Sequence, residues 1–511
     1  MKKLMFTLAA VSCAGLAQAD DGTFMNAAGG AWSDKNNWKD GVIASGAGAT
    51  ATISAELAGN ATIVLPEEGL TIGSLVVENT SSSTSSAKWI LSGGSMTFDK
   101  GEADGAASVV DVKANAQLQS ATVTDLNDVA KKGPGIWTMT VDGAFKANSV
   151  VVQDGKLAYS GLTFRDARIT LDKSAGLSPT VELSGIENKY NGPYITVKAG
   201  AGHATIRSDG WGKVSSHRIS FEDFFDFDVT SGTLTACGNG TLTGTGETCG
   251  FRKVGSGLLQ FGTSPNFSGS LVLSQGTISQ GDNYIGNNPV AVTIGDAYSE
   301  DKDLKWQFSK KSNLPSEKVS FHVTEFGRSA TFDWSGNKAS GVAAKCPFVL
   351  DRTVNINANV NSGVQNTFAG VFSGVGGINF GGNGVDRTLA LTGANTYQGG
   401  TSINKVTVKV GTTSALGTGD VSIGATGKLA YDADRIDAIA DAAVVRVTTG
   451  GVIDFGTHAV TEKVQELIVD GAKQAAGIWG AVGSGATHEA DWITGSGFLK
   501  VAGMGFTVSV R

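Results

Sequence analysis

Short segments in which apolar and polar residues alternate recur along the chain and end at glycine, asparagine or charged residues. Alternation with a period of two puts one side of an extended segment into a core and the other into water. Segments this short, separated by turn residues, are typical of strands. We therefore predict an all-β protein, and the clearest segments are 49–53, 61–65, 149–152, 354–357 and 406–410.

Helical periodicity is scarce in this sequence. Its clearest instance is 433–445, where Ile436, Ile439 and Ala440 recur at intervals of three to four residues. That spacing puts apolar side chains on one face of a helix. We predict one short helix near 433–445, placed over the β core.

An internal repeat is the most informative feature of the chain. The segment 253–281 aligns with 383–411 without a gap, so that Phe267 meets Tyr397, and a weaker third copy occupies 131–157. Each copy contains strands, an aromatic residue in a turn and a glycine turn. One such unit cannot bury its own apolar face, but stacked copies cover one another. We expect coils stacked into a β-solenoid, with aromatic residues stacked between coils.

The repeat and its flanks define the expected organisation. We predict a cap and first coils at 20–80, the solenoid at 81–430, and further coils with a second cap at 431–511. The alternative is a set of β-sandwich domains whose similarity arose by chance. Caps are expected because an open sheet edge pairs readily with other chains.

Four tryptophans stand near the two ends of the chain, at Trp32, Trp38, Trp479 and Trp492. A cap needs large side chains that cover the apolar end of a stack, and we assign all four to caps. The alternative is that they stack on sugar rings.

The N-terminus has the layout of a secretory signal peptide. Lys2 and Lys3 precede an uncharged apolar stretch, and Ala17-Gln18-Ala19 is a small-x-small cleavage signal. We therefore predict a signal peptide at 1–19 and an exported protein, with acylation at Cys13 as the alternative. The apolar stretch is too short for a membrane helix, and we expect no transmembrane span.

Composition narrows the function classes. The chain has 71 glycines, 17% charged residues and a formal net charge of −7. A chain of this sign is repelled by phosphate, so we expect no nucleic-acid partner. Frequent glycine with little charge favours many short strands joined by tight turns.

Cys237 and Cys249 lie close together in a Gly- and Thr-rich segment. In an oxidising compartment they are candidates for a disulfide, and the alternative is two free thiols. Cys346 has no evident partner, and we expect it to be a small buried residue.

The best candidate for chemistry is the acidic run 221–228. In a strand, Asp226 and Asp228 share one face, with Phe225 and Phe227 on the other. Paired carboxylates beside aromatic rings suit a sugar or Ca²⁺. The alternative is a half-exposed strand whose acids face water. The histidines have no metal-binding spacing and no nucleotide loop is present, so we expect no metal and no cofactor.

The segments 391–401 and 415–419 resemble the autotransporter-associated β-strand repeat, with looser matches at 253–259 and 132–137. The resemblance implies a right-handed parallel β-helix of the passenger type, exported and held at the cell surface. The sequence departs from that family in one respect. Its last 250 residues show no pattern typical of an outer-membrane barrel. We therefore expect export by the general secretory route, with the periplasm as an alternative destination.

These observations predict a secreted or cell-surface structural β-solenoid, an adhesin or a scaffold that binds extracellular glycans or surface proteins. The alternative is a polysaccharide-active β-helix enzyme, a lyase or glycoside hydrolase. Such an enzyme needs clustered carboxylates beside a cationic side chain. Asp226 and Asp228 are the candidate ligand-binding residues, and we assign no catalytic residue.

Overall fold

The chain folds almost entirely into β strands. The computed structural model describes residues 19–81, 86–101, 107–120, 125–126, 128–140, 146–147, 149–160, 168–184, 187–188, 194–209, 213–214, 218–237, 240–246, 248–280, 285, 288–308, 316–335 and 343–502. They fall into two compact units that divide between Ala158 and Tyr159. The signal peptide predicted at 1–19 lies, apart from Ala19, outside the described residues.

The first half of the described strands runs β1 Gly22–Phe24, β2 Gly29–Ala31, β3 Thr50–Ala55, β4 Ala61–Leu65, β5 Leu70–Ile72, β6 Ser74–Asn79, β7 Trp89–Gly93, β8 Met96–Phe98, β9 Ser108–Val112, β10 Gln117–Ser120, β11 Asp125–Leu126, β12 Val129–Lys132, β13 Ile136–Thr140, β14 Lys146–Ala147, β15 Val150–Val152, β16 Lys156–Ser160, β17 Arg168–Leu171, β18 Thr180–Ser184, β19 Glu187–Asn188, β20 Tyr194–Val197, β21 Ala204–Ser208, β22 Lys213–Val214, β23 Arg218–Phe221, β24 Phe224–Val229, β25 Thr233–Ala236, β26 Leu242–Gly244 and β27 Gly250–Val254. Two 3₁₀ turns, Lys35–Asn37 and Lys39–Gly41, follow β2.

The second half runs β28 Leu258–Phe261, β29 Gly269–Leu273, β30 Gly276–Gln280, β31 Val290–Ile294, β32 Asp303–Phe308, β33 Val319–Val323, β34 Ser329–Ser335, β35 Ala343–Ala344, β36 Phe348–Leu350, β37 Val354–Asn359, β38 Gln365–Phe368, β39 Phe372–Ser373, β40 Ile378–Gly382, β41 Thr388–Leu391, β42 Thr401–Ile403, β43 Thr407–Val410, β44 Val421–Ile423, β45 Lys428–Tyr431, β46 Val444–Val447, β47 Val452–Asp454, β48 Thr461–Val464, β49 Glu466–Val469, β50 Ala472–Lys473, β51 Gly477–Ala481, β52 His488–Ala490, β53 Ile493–Thr494 and β54 Phe498–Val501.

In the first unit, successive strands visit three parallel sheets in turn. The sheets have the orders β1-β3-β6-β9-β12-β15, β2-β4-β7-β10-β13 and β5-β8-β11-β14. A strand therefore pairs with the strand one coil later, as Leu75 pairs with Val110 and Ile63 with Leu91. This arrangement is a parallel β-solenoid, in which each coil covers the apolar side of the next.

The second unit repeats the scheme with longer parallel sheets. They include β18-β21-β24-β27-β29-β31-β33-β36-β39, β25-β28-β30-β32-β34-β37-β40-β42-β44-β46-β49 and β35-β38-β41-β43-β45-β47-β53. The all-β, parallel-solenoid prediction is confirmed in both units.

Alternation in the sequence becomes alternation in burial. In β33, Val319, Phe321 and Val323 are fully buried, whereas Ser320 and His322 face water. Full burial of a large apolar side chain contributes about 1.5–3 kcal/mol relative to an exposed one. In strands of this kind, every second residue belongs to the core.

Aromatic rings outside the repeat copies stack between successive coils of the second unit. The ring centroids of Phe321 and Phe348 lie 5.1 Å apart, and those of Phe348 and Phe372 lie 4.5 Å apart, with interplanar angles of 14° in both pairs. These spacings match the ~4.8 Å between neighbouring strands. The three residues occupy β33, β36 and β39, three successive strands of one sheet.

The two strong copies of the repeat fold alike. Each gives three strands, β28 to β30 and β41 to β43, and the first and third strands of each copy pair in parallel. Leu259 pairs with Ile278 in one copy, and Leu389 pairs with Val408 in the other. One repeat therefore forms a complete coil, in which the last strand pairs with the first.

The turn of the second strong copy is fixed by buried hydrogen bonds to neighbouring coils. Asn395 is buried, accepts the N–H of Phe372 at 2.8 Å and donates to the carbonyl of Ala415 at 2.6 Å. It therefore joins the coil before it to the coil after it. Tyr397 is buried and bonded to the hydroxyl of Thr401. A Cβ on Gly417, whose φ is +68°, would lie 2.9 Å from the tyrosine ring, so that corner requires glycine.

Two buried lysines, one in each unit, donate to main-chain carbonyls at turns that contain glycine. Lys253 Nζ donates to the carbonyls of Val254, Gly255 and Gln275 at 2.8, 2.7 and 3.1 Å. Lys131 Nζ does the same for the carbonyls of residues 132, 133 and 154. Burial lowers the pKa of Lys253 to about 7 and that of Lys131 to about 8.

The helix predicted over 433–445 is wrong. The segment consists of turns and extended backbone that leads into β46. The carboxylate of Glu462 accepts the N–H groups of Ala438 and Ile439. The carbonyl of Ala438 accepts from Leu416 in the previous coil. The N–H and the carbonyl of Ala438 therefore both bond to residues of other coils. The apolar spacing in 433–445 reflects burial against those coils.

The N-terminal tryptophans are buried. The indole of Trp32 donates to Ala44 O at 3.1 Å, and that of Trp38 donates to Trp32 O at 2.6 Å. An antiparallel bridge joins Trp38 to Phe24 in β1, the first strand of its sheet. This segment covers a sheet edge, as a cap does.

At the C-terminal end antiparallel pairs occur beside the parallel ones. β49 pairs antiparallel with β50, and β51 pairs antiparallel with β54. Within the described ranges, no helix has the length and apolar character needed to cross a membrane.

Candidate functional site

The acidic strand β24 has the two faces that its sequence predicts. Phe225 and Phe227 are fully buried and pack on Phe251, with ring centroids 5.9 and 5.1 Å away. Asp226 and Asp228 lie on the opposite face of the strand. The parallel neighbours β21 and β27 supply the residues beside them.

Asp226 is enclosed by side chains from both neighbouring coils, His203 on one side and Arg252 on the other. His203 Nε2 lies 2.7 Å from its Oδ2, and Arg252 donates from Nε to Oδ1 at 3.0 Å and from Nη2 to Oδ2 at 2.8 Å. Burial opposes ionisation of this carboxyl, but the hydrogen bonds from His203 and Arg252 outweigh it. The pKa of Asp226 is therefore held below its ordinary value.

Arg252 continues the chain of contacts towards the next coils. Its guanidinium lies 4.2 Å from the ring centroid of Tyr298, which is 69% exposed, and 3.8 Å from the carboxylate of Asp296. Asp296 also accepts the hydroxyl of Ser274 at 2.7 Å. The tyrosine ring therefore covers a cation that is already neutralised.

Asp228 belongs to a second, looser set of ion pairs. Arg207 Nε lies 3.6 Å from both Asp228 and Glu182, and its side chain is 40% exposed. We call the outward row of both sets the charged ladder; its members are Glu182, His203, Arg207, Asp226, Asp228, Arg252 and Asp296. The structure brings Asp226 and Asp228 to one face but gives them different partners.

This arrangement limits the chemistry available at the charged ladder. A general acid or a nucleophile needs a carboxyl that reaches the substrate, whereas each oxygen of Asp226 is occupied by a donor. Calcium needs six to eight oxygen ligands. No cluster of three or more His, Cys, Asp or Glu residues suited to a metal occurs in the described part of the chain. The contacts give Asp226 a role in holding coils together, and ligand binding by Asp226 and Asp228 stays a prediction.

The disulfide proposed between Cys237 and Cys249 is absent from the structure. Both thiols are free and buried. Cys237 donates to the carbonyl of Thr241 at 3.1 Å and Cys249 to that of Ser268 at 3.0 Å. Burial raises the pKa of both thiols, that of Cys237 to about 12. Cys346 is buried, as expected. Thiols with raised pKa values are poor nucleophiles at neutral pH.

Sequence reasoning missed the partners of the acidic residues. His203 precedes Asp226 by 23 residues, and Arg252 follows it by 26. Each of these separations corresponds to one coil. Polar partners of a carboxylate that are spaced by about one coil length were therefore the sequence signal that could have identified these contacts. The same signal applies to Glu182, Arg207 and Asp228.

The four tryptophans separate into two kinds. Trp32 and Trp38 are 1% and 3% exposed, which leaves no face for a ligand. Trp479 and Trp492 are half-buried and stack on each other, with ring centroids 6.1 Å apart.

Comparison with known proteins adds one relative. The chain is 25% identical over 457 residues to the adhesin BmaC autotransporter of Brucella suis biovar 1 (strain 1330). The match covers 83% of this chain and 12% of that protein, so the chain spans a small part of its relative's length. No family model and no solved structure matches. This similarity and the parallel coils fit a passenger-type β-helix.

Proposed function

We propose that this chain is an exported, non-catalytic scaffold displayed at the cell surface, and that its outward face binds extracellular glycans or surface proteins as an adhesin does. The observation that carries the proposal is the similarity to an autotransporter adhesin along 83% of the chain. The parallel-coil fold supports it, because a stack of coils offers a long, rigid outer surface.

The charged ladder supports a scaffold role in physical terms. Its ion pairs join residues one coil apart, such as His203 with Asp226 and Asp226 with Arg252. Bidentate arginine–carboxylate pairs fix geometry as well as adding energy. A surface held in this way is preorganised, which lowers the entropy that binding must offset.

The enzymatic alternative lacks a favourable observation. A β-helix polysaccharide lyase or hydrolase needs carboxylates open to the sugar, and Asp226 is 8% exposed and saturated with donors. Asp228 is bound by Arg207.

Display and binding are tested with the full chain. In the native host, antibodies against the chain should label intact cells, and external protease should remove the label. Purified chain should bind cultured cells or an array of glycans and release no reducing ends or unsaturated uronates from a polysaccharide panel. Turnover of any polysaccharide, or a protein retained in the cytosol, would contradict the proposal. Loss of that turnover in Asp226→Asn and Asp228→Asn would then place the active site on the acidic strand.

A further inference from the structure

Three aromatic side chains form a stack at the C-terminal end of the second unit. Trp479 on β51 is the cross-strand partner of His488 on β52, and their rings stack at 4.6 Å with an interplanar angle of 26°. Trp492 stacks on Trp479 at 6.1 Å and 29°. All three are half-buried, in contrast to the sealed Trp32 and Trp38.

The stack borders an open groove of about 290 Å³. Its walls are formed by Val447, Thr449, Gly450, Gly451, Val452, Val469, Asp491 and Trp492. The volume lies just below the usual range for small-molecule sites, about 300–1,000 Å³. We call this space the Trp492 groove. It combines one aromatic ring, several aliphatic groups and one carboxylate.

The groove is held in shape by its own hydrogen bonds. The N–H and the hydroxyl of Thr449 both donate to the carboxylate of Asp470. The carbonyl of Trp492 accepts the N–H of Ile453 at 2.9 Å, next to the parallel pair of β47 and β53. The indole of Trp479 donates to Ala475 O at 3.0 Å. These bonds hold the backbone beside the groove, and the Trp492 ring stacks on Trp479. An ordered wall lowers the entropy that binding must offset.

The carboxylate in the groove remains available. No hydrogen bond or ion pair engages the side chain of Asp491 anywhere in the described ranges, and that side chain is exposed. Asp470 accepts two hydrogen bonds from Thr449 of the groove wall, and these lower its pKa, so it carries charge at neutral pH. The groove is therefore an electronegative site with an open acceptor.

We propose that the Trp492 groove binds one neutral pyranose residue of a glycan, with the apolar face of the sugar against the indole and its hydroxyls donating to Asp491. A pyranose ring has an apolar C–H face and polar edges, which matches an aromatic wall beside a carboxylate. The two carboxylates, Asp491 and Asp470, disfavour uronates and other acidic sugars by like-charge repulsion. This inference rests on the proposed surface role and adds a ligand class and a place to it.

The test is isothermal titration of purified chain with neutral disaccharides, namely cellobiose, mannobiose, lactose and N,N′-diacetylchitobiose, and with digalacturonate as the acidic counterpart. We expect at least one neutral disaccharide to bind and digalacturonate not to bind. Trp492→Ala should weaken binding at least about tenfold, a change of about 1.4 kcal/mol. Trp492→Phe, which keeps a ring, should weaken it about threefold, and Asp491→Asn several-fold.

Tyr298→Ala is the matched control, because it removes an exposed aromatic ring that packs on Arg252 and leaves the groove intact. It should bind the neutral disaccharide like the native chain. Circular dichroism of each variant checks the fold, and Trp492→Phe and Asp491→Asn keep the test decisive if Trp492→Ala unfolds.

Three results would overturn the inference: no neutral disaccharide binds, digalacturonate binds as tightly, or the Trp492 and Asp491 variants bind like the native chain. Surface labelling and cell binding that persist in those cases would leave the scaffold proposal standing, since a protein partner would then account for adhesion.

Discussion

Arg252 holds the carboxylate of Asp226 with two parallel donors, Nε at 3.0 Å and Nη2 at 2.8 Å, across two neighbouring strands. The residues are 26 positions apart in sequence and one coil apart in the fold. The outer face of the second unit is thus joined from coil to coil by charge, while its inner face is joined by apolar packing.

Replacement of Asp226 tests this outer connection. Asp226→Asn leaves Arg252 with a weaker acceptor in a site where its side chain is only 16% exposed, so we expect the free energy of unfolding to fall by about 1–3 kcal/mol. Asp228→Asn should cost less than about 1 kcal/mol, because Arg207 is 3.6 Å away and its side chain is 40% exposed. Urea unfolding followed by circular dichroism measures both.

The effect of Asp226→Asn also depends on pH. The folded pKa of Asp226 lies below the unfolded value of about 3.9. Its stabilisation is therefore complete above that value and is lost as pH falls through the folded pKa. The difference between native and Asp226→Asn proteins should shrink below about pH 4. A difference that stays constant down to pH 2.5 would show that the ion pairs contribute nothing.

The buried lysines make a second prediction. Lys253→Met removes the donor from the main-chain carbonyls of Val254, Gly255 and Gln275 and should lower the free energy of unfolding by about 1–3 kcal/mol. Lys500→Met, in which the lysine is exposed on β54, is the control and should change it by less than about 0.5 kcal/mol. Equal effects of the two substitutions would contradict the assigned role.

Much of this architecture was predictable from the sequence, because two periods are visible in it. One is the alternation of buried and exposed residues along a strand, and the other is the recurrence of whole coils. The alternation in 319–323 gives the burial of β33, and the repeat at 253–281 and 383–411 gives two complete coils. The opposite faces of Asp226 and Phe227 also follow from alternation. These features depend on local spacing alone.

The features that sequence reasoning missed depend on neighbours one coil away. The spacing in 433–445 fits a helix, yet Glu462 and the coil containing Leu416 take the backbone groups that a helix would use. Cys237 and Cys249 are close in sequence, but each thiol faces a different carbonyl. Without the exact length of each coil, neither contact can be placed.

Glu462 gives the third prediction. It is buried, accepts from Tyr431 and from two backbone N–H groups, and burial raises its pKa to about 8. The unfolded carboxyl titrates near 4.3, so folding takes up a proton between about pH 4.3 and 8. The stability contributed by this group therefore falls as pH rises through that window.

Glu462→Gln should remove this contribution to the pH dependence, so that the variant gains stability relative to the native chain as pH rises from 5 to 9. Glu462→Ala should destabilise at every pH, by about 2–4 kcal/mol, because it leaves the N–H groups of Ala438 and Ile439 without an acceptor. Urea unfolding at several pH values measures both variants. Parallel pH profiles for native and Glu462→Gln proteins would refute the assignment.

The stacking of coils itself is tested most directly by disulfide trapping between paired strands. Ser402, Ser422 and Arg446 stand side by side on β42, β44 and β46, all on the outward face. Neighbouring strands are ~4.8 Å apart, whereas strands two apart are separated by ~9.6 Å, beyond the ~7 Å limit for a disulfide. The described native cysteines are buried and should stay out of the reaction.

Peptide mass spectrometry after mild oxidation should show a crosslink in the Ser402→Cys/Ser422→Cys protein and none in the Ser402→Cys/Arg446→Cys protein. The absence of the first crosslink in folded protein, or equal formation of both, would contradict the parallel coil stack.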